Sequence, residues 1–222
     1  MSEPASPSPG VALVFAGGDP VPTSVVARLP EPELVIAADS GLEHAQALGQ
    51  AVDLVVGDLD SVDPAALAEA EARGASVERH PAEKDATDLE LALGAALGRG
   101  ARHVTVIGGH GGRVDHFLAN ALLLASDTFA ALDIDAWIGR AHVTVVRAQA
   151  ELQGAPGSLC TLLAVGGPAR GVTTHGLRYP LEHDDLLPGS TRGVSNLLAG
   201  SIATVALRAG TVLVVQPHAL EG

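Results

Sequence analysis

Between residues 11 and 138 the chain alternates short apolar runs with longer stretches of mixed polarity. Runs rich in β-branched and aliphatic residues fall at 11–16, 34–38, 54–57, 103–107 and 132–138, with a weaker one at 75–79. Such runs read as strands, and strands apolar along their whole length belong to a parallel sheet covered on both faces. The stretches between them carry helix punctuation. Asp63 followed by Pro64 is an N-cap and first-turn pair, with Gly74 as the stop. Thr87-Asp88-Leu89-Glu90 has capping-box spacing, and Gly100 closes the Ala/Leu-rich segment it opens. Residues 114–126 predict a further apolar helix.

After residue 139 the rhythm changes. Strand-like runs at 143–147, 158–165, 171–174, 202–207 and 211–215 are separated by Gly/Pro turns, and no long helical pattern remains. The expected fold class is α/β. A doubly wound, Rossmann-like parallel-sheet domain spans residues 11–138, and a smaller all-β sandwich spans 139–222. Residues 1–10, rich in Pro and Ser, are expected to be a disordered tail.

Composition narrows the function classes. Thirteen Lys+Arg against 26 Asp+Glu leave a net charge of −13, which argues against general nucleic-acid binding. No apolar run is long enough to cross a bilayer; the best, 202–215, is broken by Arg208 and Gly210. The start lacks the basic and apolar segments of a signal peptide, and a single Cys cannot form an internal disulfide, so a cytoplasmic location is expected. Lys84 is the chain's one lysine.

The candidate chemistry sits where the strands end. In an open parallel sheet, ligands bind beyond the carboxyl ends of the strands. There the sequence places Asp39-Ser40-Gly41, Gly57-Asp58-Leu59-Asp60-Ser61, Lys84-Asp85-Ala86-Thr87-Asp88 and Gly108-Gly109-His110-Gly111-Gly112-Arg113-Val114-Asp115-His116. Several acids on one edge repel one another, and a divalent cation removes that cost. Oxygen ligands of this kind suit Mg²⁺. Glycine loops beside helix starts offer N–H groups to phosphate, and Lys84 and Arg113 can neutralise phosphate oxygens. This is equipment for phosphoryl-type transfer. Individually the residues have plainer uses: Asp39 as a helix cap, Thr87 with Glu90 as a cap pair, the glycines as a tight turn. No Walker loop or G-x-G-x-x-G fingerprint is present.

Together with Gly176-Leu177-x-Tyr179-Pro180-Leu181 and Gly193-Val194-Ser195-Asn196 in the β half, these strings resemble the thiamine pyrophosphokinase family, in order and spacing over nearly the whole chain. The resemblance implies a homodimer in which residues 11–138 bind ATP and Mg²⁺ and residues 139–222 bind thiamin and dimerise. It implies transfer of the diphosphoryl group of ATP to thiamin, with AMP leaving. Asp58, Asp60 and Asp88 would be the catalytic and metal-holding acids, and Asp60 or Asp88 the acceptor of the hydroxyl proton. Asp39, Ser40, Gly41, Lys84, Asp85, Gly109, Gly111, Arg113, Asp115 and His116 would meet ATP. Tyr179, in place of the Trp of some relatives, would stack on thiamin beside Ser195 and Asn196, in a cleft between subunits. Two rival readings keep the fold: a pyrophosphokinase for another primary alcohol such as a hydroxymethyl pterin, and a non-catalytic nucleotide or thiamin sensor. The β-half strings disfavour the first and the complete set of acids disfavours the second.

Overall fold

A computed structural model describes residues 10–221. The expected tail lies outside the described residues apart from Gly10, which opens the first strand. The α/β half runs β1 (Gly10–Ala16), β2 (Leu34–Ala38), α1 (Gly41–Ala47), β3 (Leu54–Gly57), α2 (Pro64–Ala72), β4 (Ser76–Arg79), α3 (Asp88–Gly98), β5 (Ala101–Ile107), α4 (Val114–Leu124) and β6 (Asp133–Ile138). These strands pair in parallel in the order β4-β3-β2-β1-β5-β6. The chain winds outward from β1 to β4, then returns to the other side of β1 with β5. The reversal lies between β1 and β5, the position where such sheets leave a crevice.

Side chains alternate across the sheet, and both faces are covered. Ala12, Val14 and Ala16 pack with Leu89, Ala92, Leu93 and Ala96 of α3. Leu13 and Phe15 point the other way, onto Ala45 of α1 and onto Trp137. Ala37 and Val55 meet Ala66 and Ala70 of α2. The caps read from the sequence form: Asp63 accepts from the Ala65 N–H at 2.9 Å, and Thr87 Oγ1 from the Glu90 N–H at 3.2 Å. The short helix α1 has no punctuation of that kind. It starts on Gly41, where a Cβ would lie 2.0 Å from the Phe15 carbonyl oxygen, so only glycine lets the helix approach β1.

β7 (Ala141–Val146) turns back on β6 through Gly139-Arg140, and the hydrogen-bonded path continues through β13 (Ala209–Gln216), β9 (Leu159–His175), β12 (Ile202–Ala206) and β8 (Gln149–Gln153). β10 (Asp184–Leu186) and β11 (Asn196–Leu197) pair with β9. All these pairings are antiparallel and sandwich-like around a second core that includes Cys160, Leu162, Val172, Leu198 and Val205. Two expected strands, 158–165 and 171–174, are one strand. The Gly166-Gly167-Pro168 stretch is a bulge opposite Ala209–Thr211 and not a chain reversal. Its two arms join the two layers: residues 161–170 pair with β13, and 173–175 with β12.

Candidate functional site

Parallel pairing brings the ends of β1, β2, β3 and β5 to one edge, where they open a cleft of about 670 Å³. Its walls hold Asp39, Ser40, Asp58, Asp60, Lys84, Asp88, Gly109, Gly111, Arg113 and His116. Four strand-end strings separated in sequence by up to 77 residues (39 to 116) therefore share one site.

The acids are set by local backbone. Leu59 adopts φ 62°, a left-handed conformation uncommon for a bulky residue. The kink turns its side chain into the core beneath β2 and β3, so Asp58 and Asp60 on either side both stay at the cleft. Asp39 is also left-handed, at φ 49°, between β2 and α1. One carboxylate oxygen from each of Asp39, Asp58 and Asp60 lies within 4.8 Å of the others, a spacing a single cation can bridge. Burial raises the Asp39 pKa, opposed by the Ser40 N–H and reinforced by Asp88, Asp58 and Asp60. Its Oδ1 is buried without a hydrogen-bond partner. That orphaned oxygen among like charges fits a cation ligand. Asp58 goes the other way: the Asp60 N–H donates to its Oδ1 at 3.3 Å, and with help from Lys84 against burial its pKa falls.

Asp88 opens α3 and faces Lys84, whose Nζ lies 2.7 Å from Asp88 Oδ1 and 3.5 Å from Asp58 Oδ2. Burial would lower the Lys84 pKa, but the two carboxylates raise it. On the opposite wall, Asn120 Nδ2 donates to the Gly109 carbonyl at 3.0 Å and braces the glycine loop. The loops after β1 and β5 touch directly. Asp19 N–H donates to the His110 carbonyl at 2.6 Å, and a Cβ on Gly18, at φ 113°, would lie 1.9 Å from that oxygen.

Not every expected residue lines the cleft. Gly41 is used for packing under β1, and Asp85 is exposed outside the walls. Asp115 turns back to Arg113, which donates from Nε at 3.2 Å and from an Nη at 2.6 Å. That pairing holds the Asp115 pKa at about 2. Tyr179, Ser195 and Asn196 are all on the β half, away from the cleft walls of the same chain. Tyr179 is exposed, with the Arg178 guanidinium carbon 5.8 Å from its ring centroid. Ser195 is exposed at φ 59°, its N–H donating to Thr161 Oγ1 at 3.1 Å. Asn196 is buried and fully engaged: Oδ1 accepts from the Tyr179 and Leu197 N–H groups at 3.1 and 2.9 Å, and Nδ2 donates to the Tyr179 carbonyl at 2.7 Å. Its side chain places Tyr179.

Sequence reading missed Gly17, Gly18, Phe117 and Asn120 as wall residues. The Gly-Gly pair after β1 was the available signal, since it stands at a strand end like the others. Asn120 has none, being an ordinary polar position two turns into a helix.

The similarities to known proteins follow the same two halves. Residues 28–134 match the family "Thiamin pyrophosphokinase, catalytic domain", and residues 144–212 match "Thiamin pyrophosphokinase, vitamin B1 binding domain". A thiamine pyrophosphokinase of Bacillus subtilis (strain 168) is 27% identical over 170 residues, covering 72% of this chain and 76% of its own length. The crystal structure of thiamine pyrophosphokinase from Bacillus subtilis superposes with a TM-score of 0.81 at 25% identity, covering 93% of this chain and 98% of that one. Thiamin pyrophosphokinase from Candida albicans shares the fold, with a TM-score of 0.77 at 14% identity over 94% of this chain and 89% of its own. The chain belongs to the thiamin pyrophosphokinase family.

Proposed function

We propose that this protein transfers the diphosphoryl group of ATP to the hydroxyethyl oxygen of thiamin, releasing AMP and thiamin diphosphate. The observation that carries the reading is the acid edge. Asp39, Asp58 and Asp60 lie within one cation's reach, facing glycine loops and two cationic side chains across a cleft large enough for a nucleotide. In this reading the parallel half is a Rossmann-like nucleotide domain, residues 11–138, and residues 139–222 form the thiamin-binding and dimerisation domain.

Asp58 and Asp60, with Asp39 beside them and Asp88 completing the set, would hold Mg²⁺. Such an ion would supply neutralisation of charge on the phosphate chain and on the departing AMP. The chain's own groups do the rest. The loops at Gly17-Gly18 and His110–Gly112 would present backbone N–H groups to phosphate oxygens, while the Gly108 and Gly109 N–H groups tie the loop to Trp137 and Gly17. Lys84 and Arg113 add positive charge from opposite walls. Asp60 or Asp88 takes the hydroxyl proton as the oxygen meets the β-phosphorus. Tyr179 offers its ring face to the thiazolium, and Asn196 holds that ring in place through the backbone.

A second copy of the chain completes the site. The cleft walls come only from residues 16–120, and Tyr179 lies elsewhere. Beside the glycine loop, α4 exposes an apolar stripe: Val114 is 69%, Leu118 54% and Leu122 60% accessible. An apolar stripe at the rim of an incomplete site calls for a partner surface. We place the homodimer contact there, with the β half of one copy closing the cleft of the other. No helix among the described residues is long and apolar enough to cross a membrane. The one Cys is buried, with burial pushing its thiol pKa up to about 12, and a cytoplasmic location is part of this reading.

The test is product identity. Purified protein with thiamin, ATP and Mg²⁺ is expected to form AMP and thiamin diphosphate in equal amounts. ADP or thiamin monophosphate as the product would overturn the assignment.

A further inference from the structure

We infer that Lys84 is a tethered counter-cation of the acid edge. Before a divalent ion binds, its ammonium is held between Asp58 and Asp88, beside the place the ion would take, so loading the site means releasing it from Asp58. This deepens the reading above, since it takes the acid edge to be the cation site.

The geometry is that of a shared carboxylate. Asp58 belongs to two sets. With Asp39 and Asp60 it forms the group within 4.8 Å, and with Asp88 it flanks Lys84 Nζ, at 3.5 Å and 2.7 Å respectively. Lys84 is partly buried there, its side chain 14% accessible. It reaches the site from the loop between β4 and α3, four residues before Asp88, so its position is fixed by the entry into that helix. The contact with Asp88 is a close, charge-assisted one, and that with Asp58 is longer. Asp39 Oδ1, on the other side, is buried without a partner. One ammonium therefore offsets only part of the charge of four carboxylates.

A cation on Asp39, Asp58 and Asp60 would stand next to Lys84 across Asp58. Two cations on one carboxylate repel strongly in a partly buried site. Release of Lys84 from Asp58 relieves that repulsion and frees the ammonium for a phosphate oxygen in the same cleft. Lysine suits this exchange. Its charge is compact and its stem flexible, whereas a guanidinium's fixed fork suits a lasting two-point contact.

Two roles for Lys84 predict opposite signs. If the side chain only props Asp88 in place, removing it loosens the acids and weakens cation binding. If it is a competing counter-cation, removing it leaves the acids unneutralised and strengthens cation binding. The experiment is a Mn²⁺ titration without nucleotide or thiamin, read by calorimetry and by water-proton relaxation. Wild type is compared with Lys84→Met, which keeps the reach and loses the charge, and with Lys84→Gln should the first variant not fold. Lys84→Arg keeps the charge, and Arg113→Met removes a charge from the exposed rim.

The neutral Lys84 variants are expected to bind Mn²⁺ about tenfold more tightly than wild type, with Lys84→Arg and Arg113→Met within about twofold of it. Equal or weaker binding by Lys84→Met and Lys84→Gln overturns the inference, including the case in which neither they nor wild type bind. An equal gain from Arg113→Met also overturns it, because any lost positive charge would then suffice. None of these readouts depends on product formation, so failure of the thiamin assay and failure of this inference are separate results.

Discussion

The strand-end edge of the α/β half and the Tyr179–Asn196 region of the β half treat polar groups in opposite ways. At the strand ends, Asp39 Oδ1 and His110 Nδ1 are buried without partners, and four carboxylates share a single close ammonium, that of Lys84. In the β half, Asn196 spends its amide on the Tyr179 and Leu197 backbone, Thr174 Oγ1 accepts from the Leu181 N–H at 2.9 Å, and Gln216 donates to the Gln153 carbonyl at 2.9 Å. Unpaired buried groups cost stability, and where they gather at a cleft a bound ion or ligand is the partner that would relieve them. The first region is unfinished without a ligand. The second is finished by its own hydrogen bonds, which suits the platform role proposed for it. Activity and stability should therefore separate along the chain.

The largest effect expected is on turnover. Asp58→Asn keeps the shape and removes a charge from a crowded acidic site, so turnover should drop by about 10²–10³ while Tm stays within about 3 °C of wild type. A fall in Tm of ten degrees or more would mean that the acid edge is structural and would erase the contrast. Next comes Asn196→Ala. It strips three hydrogen bonds around a buried amide and leaves partly buried backbone groups of Tyr179 unpaired, which should cost about 1–3 kcal/mol in denaturant unfolding. The same variant should raise the KM for thiamin while the KM for ATP holds within about twofold. Unchanged stability would show that the platform is not held by this amide.

The smallest effect lies inside the parallel half, on the two strands next to its junction with the β half. His103 Nε2 is 3.3 Å from Asp135 Oδ2, on neighbouring strands. Asp135 raises the His103 pKa above the usual 6.5, against the effect of burial. Burial would raise Asp135 from 3.8, but His103 and His142 outweigh it and hold it at about 2. The histidine's contribution to stability is complete below pH 6.5 and is lost as pH rises through its higher folded value. The carboxylate's contribution is complete above about pH 4 and is lost as pH falls toward 2. Full support from the pair therefore lies between roughly pH 4 and 6.5. His103→Gln should destabilise more at pH 5.5 than at pH 9, by under about 1 kcal/mol given the histidine's partial exposure. Equal destabilisation at both values would remove charge from the account of this contact.

What could be read from the chain before its structure follows the same division. The α/β half was legible because its signals are local. Fully apolar strands, the Asp63-Pro64 and Thr87–Glu90 caps and the glycine stops each act within a few residues. The acids at Asp39, Asp58 and Asp60 followed from strand ends, whereas Asp88 stood beside Asp85 as a candidate until the family resemblance chose between them. The β half was less so. Its bulge at Gly166–Pro168 looks like a turn in sequence and becomes a bend only because β13 pairs with both sides. Strands as short as β10 and β11 exist only through pairing with β9. Asn196 reads like a ligand contact beside Ser195, and only the fold shows its amide turned onto Tyr179. Helix α4 was predicted as apolar, but its periodicity could not show that most of it stays uncovered in a single chain.

The central claim is that an unfinished edge on one copy is completed by a finished platform on another. Mixing two impaired variants, Asp58→Asn and Tyr179→Ala, after joint unfolding and refolding tests it directly. The assay follows thiamin diphosphate at thiamin well below the wild-type KM. In a symmetric dimer with shared sites, half the molecules are mixed and each carries one intact site. Activity should return to about a quarter of wild type. Activity no higher than the average of the two variants alone would place each complete site within one chain and contradict the account.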